Sequence, residues 1–187
     1  MVAPTNQPVV SSVPLYGPNY IIGQTTNLYQ PIKSETWNVV IPNPLIGNEA
    51  IAGYAAFTTD NVTVTRGAIG DTLANFVGFF EQQYFNEWDV GSLTGQDTLG
   101  NYFTTAVLSM GSIYVYNSTA ISEAVSAGLK VVLSITPLTT PAAIQVGSII
   151  QGADPAGSTT LDISTVCRVR SAQTVVGAGV LLDIIKV

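Results

Sequence analysis

The sequence predicts an all-β fold, a single-domain β-barrel or jelly-roll-like sandwich with an extended N-terminal arm. Three observations carry this expectation. Short apolar runs rich in β-branched and aromatic residues recur along the chain, they are punctuated by Gly, Pro and Asn at intervals of roughly 10 residues, and several alternate with period two. The 187 residues fit one domain, a length that buries about 70% of the surface exposed by the unfolded chain.

Pro4, Pro8, Pro14 and Pro18 keep residues 1–20 out of a helix, because proline lacks the amide donor and restricts the residue before it. Val9, Val10, Val13 and Leu15 supply apolar handholds, so this stretch reads as an arm that docks on a neighbour, and residues 21–187 as the domain. From Thr36 the pattern becomes strands: TWNVVIP, then EAIAGYAAFT after the turn at residues 44–48, then NVTVTRG, where Val62 and Val64 alternate with Thr63 and Thr65. In DTLANFVGFFEQQYFNEWD, Leu73, Phe76, Val77, Phe80 and Tyr84 fit a helical stripe, yet Gly78 interrupts it; a strand over Asn75 to Glu81 is expected.

Residues 91–101 read as a glycine-punctuated loop. YFTTAVLSMGSIYVYN reads as two strands broken at Met110 and Gly111, with Ile113, Val115 and Asn117 on one face and Tyr114 and Tyr116 on the other. LKVVLSITPL is a further strand, closed by Pro137 and Pro141, and QGADPAGSTT is a loop by its turn residues. The last stretch, from LDIS to IIKV, gives two or three strands, with Arg168 and Arg170 on one face and Val169 on the other.

Charge narrows the function classes. Only 10% of residues are charged, 6 basic against 12 acidic, for a net charge of −6, where a soluble domain ordinarily has about 25%. Six scattered cations make no basic stripe for a phosphate backbone, so nucleic-acid binding is not expected. With no histidine, the Ser-His-Asp and Cys-His relays, the HExxH zinc site and the ordinary neutral-pH base are absent, and no enzyme activity is expected. No Walker or GxGxxG sequence occurs and neither Asp97 nor Asp154 sits in an EF-hand pattern, so no cofactor or metal is expected. The lone Cys167 reads as a small buried hydrophobe. No stretch nears the roughly 20 apolar residues of a membrane span. The N-terminus lacks the basic and apolar regions of a secretory signal, so synthesis in a cytoplasm is expected.

Glu81, Glu87 and Asp89 could form a carboxylate pair but read better as a solvated acidic edge. The acceptor patterns at Asn61 and Asn117 read as chance. Arg66, Arg168 and Arg170 carry more information: in so uncharged a chain they serve either bidentate pairing with carboxylates across an interface or intramolecular salt bridges. The aromatic residues, Tyr16 and Trp88 among them, are candidate interface anchors or core fillers.

Four segments, NVVIPNPLIGNEAIAGYAAF, VTVTRGAIGDTLANFVGFFEQ, VLSMGSIYVYNSTAISEAVSAGLKVVL and CRVRSAQTVVGAGVLLDI, together resemble the structural cement, or capsid decoration, proteins of tailed bacteriophages. The resemblance runs through Ile41 and Gly47, Phe76 to Phe79, Val107 to Val115, Ala120 to Gly128, and Gly177 to Ile184. Pro42-Asn43-Pro44 lengthens the first turn relative to that family, and residues 82–101 stand as an insertion. It implies a virion protein made in the bacterial host cytoplasm that binds the outer capsid surface and bridges subunits of the major capsid protein, assembling with itself as a dimer or trimer. The residues expected at such interfaces are Val9, Val10, Val13, Leu15, Tyr16, Arg66, Trp88, Arg168 and Arg170. Two other readings compete: a viral coat protein enclosing genome, disfavoured by the absence of Lys or Arg before Lys33, and a carbohydrate- or receptor-binding module with Trp37, Tyr54 and Trp88 as its aromatic platform.

Overall fold

A computed structural model describes residues 22–26, 32–40, 52–82, 102–133, 144–152 and 159–185. Among these residues there are eleven strands and no helix: β1 (Thr25–Thr26), β2 (Lys33–Val40), β3 (Ala55–Phe57), β4 (Thr63–Val64), β5 (Phe76–Phe80), β6 (Tyr102–Val115), β7 (Leu129–Val132), β8 (Ile149–Gln151), β9 (Thr160–Asp162), β10 (Cys167–Val169) and β11 (Val180–Ile184). The fold is all-β, as the punctuated apolar runs predict. The expected arm, with Val9, Val10, Val13, Leu15 and Tyr16, lies outside the described residues, as do Trp88 and the loop of residues 91–101.

Five strands close a nearly complete barrel. β6 pairs antiparallel with β2 and β5, β5 with β3, and β2 runs parallel to β4. The seam between β3 and β4 is joined by Phe57 and Thr65, whose backbones exchange two hydrogen bonds of 2.9 Å. Strands β3, β5 and β6 are buried on both faces. Ala56, Phe80 and Val107 pack with Val39 and Val64 into one apolar cluster, while their chain neighbours Ala55, Phe79 and Leu108 point the other way into a larger one. Burial on both faces is why FVGFF reads as a continuous apolar run and why the strand expected over Asn75 to Glu81 forms at Phe76–Phe80. Gly78 serves that strand directly: its φ is +140°, and a Cβ there would collide with the Leu108 carbonyl oxygen.

The break expected at Met110 and Gly111 is instead a bend within one strand of 14 residues. Lys33 opposes Met110 and Ser34 opposes Leu108, so Ser109 is the extra residue of a bulge, and its hydroxyl donates to the Lys33 carbonyl at 3.1 Å. Bulges bend a strand and let it change sheets. Beyond Gly111, β6 leaves the barrel partners and pairs with β1 and β11, which in turn pairs with β10. Ile113, Val115 and Asn117 are fully buried there and Tyr114 and Tyr116 half-buried, which matches the expected alternation.

The chain end forms three strands. β9 joins β7 and β8 in a separate antiparallel sheet, ordered β8-β7-β9. Leu129, Val131, Ile149 and Ile163 from this region share the larger cluster with Leu108, Ile113 and Leu182, so both sheets enclose the same core. Of the two valines in NVTVTRG only Val64 is buried; Val62 is 55% exposed. Asp60 explains the difference, because its carboxylate accepts from the Val62 and Thr63 amides at 2.9 and 2.7 Å, holding a turn that delays the strand to Thr63.

Candidate functional site

The β10–β11 hairpin displays the charges that the sequence singled out. Cys167 and Val169 are buried and Arg168 is exposed, while Val180, Leu182 and Ile184 point inward from β11. The pleat therefore puts Arg168, Arg170 and Asp183 together on the outer face. Arg168 stands opposite Asp183, which stands opposite Ser112 on β6. Asp183 is nonetheless only 4% exposed: Arg170 forms an ion pair with one of its oxygens and Ser112 Oγ donates to the other at 2.5 Å.

Beside this row lies an open groove of about 680 Å³. Arg168, Arg170, Asp183 and Ile185 line it from the hairpin, and Val125 and Ser126 from the connection that precedes β7. Val125 and Ile185 are exposed apolar side chains. The buried hydroxyl of Ser126 has no hydrogen-bond partner among the described residues.

Five of the six cations are among the described residues, and four of them are engaged within the chain. Lys33 pairs with Glu35 at 2.5 Å. Lys130 stands opposite Asp162 and helps hold its carboxyl below the usual range, after the stronger effects of the Ser164 hydroxyl and amide. Arg170 pairs with Asp183. Arg66 is 4% exposed, its guanidinium 4.8 Å from the centre of the Tyr54 ring, so its charge is used inside the protein and it offers no surface to a partner. Arg168 alone of the five has a side chain with no ion pair or hydrogen bond among the described residues.

Arg66 belongs to a buried stack. Tyr54 and Tyr116 lie 5.1 Å apart with their rings 13° from parallel. Burial raises the Tyr54 hydroxyl to about 12, Tyr116 adds to the rise, and Arg66 opposes it. Tyr54 is part of the smaller apolar cluster and Trp37 packs against it, so two of the three rings proposed for a glycan platform are core fillers.

Cys167 is fully buried, and burial, helped by the negative charge of Asp183, pushes its thiol above the ordinary value; this is the inert thiol that the sequence predicts. Asn117 is buried as well. Its amide donates to the carbonyls of Thr119 and Val175 and its side-chain oxygen accepts from the Gly179 amide, an arrangement with no room for a glycan. Of the carboxylates suggested as a pair, Glu81 is half-buried beyond β5, and Glu87 and Asp89 lie outside the described residues, as do Asp97 and Asp154. Among the described residues no three His, Cys, Asp or Glu side chains come together as a metal site, and no helix is long and apolar enough to cross a membrane.

Sequence reasoning missed Val125 and Ile185, the exposed apolar residues that line the groove. The signal for Ile185 was present: with Leu182 and Ile184 inward, period two puts Asp183 and Ile185 on the face of Arg168. Nothing in the local sequence marks Val125. No family model matches the chain, and no curated protein matches it.

Proposed function

We propose that this protein is a virion structural protein, a capsid decoration protein that binds the outside of a phage head and bridges neighbouring capsid subunits. The observation that carries this reading is the internal use of charge. Four of the five described cations are engaged within the chain, and the exposed face of the β10–β11 hairpin offers one free guanidinium beside exposed Val125 and Ile185. A protein facing packaged genome needs a cationic face; a protein on the outer surface needs weakly charged area for contact, with affinity multiplied over many copies. The nearly closed barrel is a rigid body with few free strand edges, suited to a mechanical role.

The deciding experiment is decoration of expanded capsids by the purified protein, followed by cryo-electron microscopy of the particles. The expected result is ordered density at repeated positions outside the shell. Closed shells formed by this protein alone would instead establish a coat protein, and absence of binding would remove the decoration reading. Deleting residues 1–20 is expected to lower capsid occupancy while leaving a folded barrel; unchanged occupancy would exclude the arm as a contact.

A further inference from the structure

β10 ends the larger sheet, and among the described residues β11 is its one strand neighbour. The Arg170 amide donates to the Leu181 carbonyl and the Ile185 amide to the Val166 carbonyl, both at 2.8 Å. Antiparallel alternation then gives the bonds between them to Arg168 and Asp183 and turns the backbone of Val169 away from β11. Cys167 faces the same way, and its amide reaches the Ile163 carbonyl at 2.9 Å. The Val169 amide and carbonyl have no backbone partner among the described residues. A neighbour starts along this edge and departs: Ile121 and Gln173 exchange two backbone bonds, a register that would set Val125 opposite Val169 if it ran on. The chain leaves the edge instead, Val125 is 56% exposed, and both residues line the groove. The Val169 side chain packs in the larger apolar cluster, so its contribution to the groove is its backbone.

An open strand edge inside a groove is a template for one more strand, held by main-chain bonds and selected by its side chains. A residue added opposite Val169 would use its own N–H and C=O there, and its chain neighbours would point to the outer face with Arg168 and Arg170. Two guanidiniums and one carboxylate line the groove. Arg170 and Asp183 pair with each other, which leaves Arg168, whose side chain makes no ion pair or hydrogen bond among the described residues. We propose that this groove takes an extended segment of a partner protein, which adds as a strand at Val169 and sets a carboxylate side chain against Arg168. Charge complementarity selects an acidic segment over the arm of a second copy, because residues 1–20 contain no Asp or Glu. The resulting guanidinium–carboxylate bond is of the stronger, charge-assisted kind.

The proposal goes beyond the decoration reading and requires no capsid. It is tested on the full chain, labelled with nitrogen-15, by titration with the peptide acetyl-Thr-Val-Glu-Val-Thr-amide while amide shifts and hydrogen exchange are followed. The Val169 amide is expected to shift and to exchange more slowly, with a dissociation constant on the order of 1 mM or below. The same peptide with Gln in place of Glu is expected to bind about tenfold more weakly, and Arg168→Gln is expected to remove that difference. A Glu peptide methylated on both valine amides, which cannot donate to the edge, is expected not to bind the wild type; this arm holds even if the variant fails to fold. No shift at Val169 up to about 10 mM peptide, equal binding of the Glu and Gln peptides, or indifference to methylation overturns the proposal. Tighter binding of a peptide with the sequence of residues 9–13 overturns it too, in favour of the arm of a second copy. Capsid co-sedimentation is run separately: peptide binding with bare capsids upholds the proposal while removing the decoration reading, and coated capsids without peptide binding do the reverse.

Discussion

Ser112 donates a hydrogen bond of 2.5 Å to Asp183 across the β6–β11 pair, at a point where both residues are buried. Arg170 holds the other carboxylate oxygen, so the outer face of the sheet carries a charged group that is desolvated and fully partnered. Removing one member of such a set leaves the others unsatisfied. Asp183→Ala is expected to lower stability by about 2 kcal/mol, while Asp183→Asn, which keeps an acceptor for Ser112, is expected to cost about half as much. Urea unfolding of the two variants checks the order; equal losses would mean that Ser112 contributes nothing.

Asn117 ties the end of β6 to the turn between β10 and β11. Its side chain accepts from the Gly179 amide and donates to the Thr119 and Val175 carbonyls, and its own carbonyl accepts from the Gly177 amide. Asn117→Ala removes the side-chain partner of three of these groups, of which the Gly179 amide is buried, and a loss of about 2 kcal/mol is expected. Asn117→Asp keeps only the acceptor function and is expected to destabilise as well. Thermal unfolding measures both, and a wild-type midpoint for Asn117→Ala would refute the account.

Much of this architecture is legible in the sequence because period two is a strong signal wherever one face of a strand meets water. The hairpin residues Cys167 to Arg170 and the run Ile113 to Asn117 alternate as they should, and their orientations follow directly. The signal weakens where a strand is buried on both sides, as at Phe76 to Phe80, and only Gly78 argues there against a helix. It misleads at Met110 and Gly111, where the glycine, with φ of +129°, follows the bulge at Ser109 and the strand runs on to pair with β11. Partner choice is less legible still. Whether Arg168 or Arg170 pairs inside the chain does not follow even from strand register, which sets Asp183 opposite Arg168 while the ion pair forms diagonally with Arg170.

Gly78 allows the closest approach of β5 to β6. A methyl group at its Cα would meet the Leu108 carbonyl oxygen and carbon, which are backbone atoms and cannot rotate away. Its φ of +140° is also one that L-residues rarely adopt. Gly78→Ala is therefore expected to cost about 3 kcal/mol or more, read as loss of soluble protein or a large drop in the unfolding midpoint. At Gly70, also at positive φ but with open space around it, the same substitution carries the conformational penalty alone, about 1 kcal/mol.

Tyr54 predicts an alkaline limit to stability. Its folded value is about 12 against an ordinary 10.0, so the folded state favours the neutral phenol. The sign follows: this contribution is fully present below pH 10.0 and is lost as pH rises through about 12. Stability of the wild type is expected to fall across that window, and Tyr54→Phe, which has no proton to lose, is expected to flatten the fall. Parallel slopes for the two proteins in alkaline urea titrations would assign the effect to other groups.

Asp60 predicts the opposite limit. The Thr63 and Val62 amides and the Thr63 hydroxyl, all donating to its carboxylate, hold it well below the usual carboxylate range. A depressed folded value means that the contribution is complete above the ordinary 3.8 and is lost as pH falls below it toward the folded value. The turn also holds Asn61 at a positive φ of 57°, a conformation that the carboxylate's bonds on either side of it help to maintain. Asp60→Ala is therefore expected to lower the unfolding midpoint at neutral pH, and the gap from wild type is expected to narrow as pH drops below 3.8. A gap of constant size from neutral pH into acid would show that the stabilisation comes from the shape of the turn and not from the ionised carboxylate.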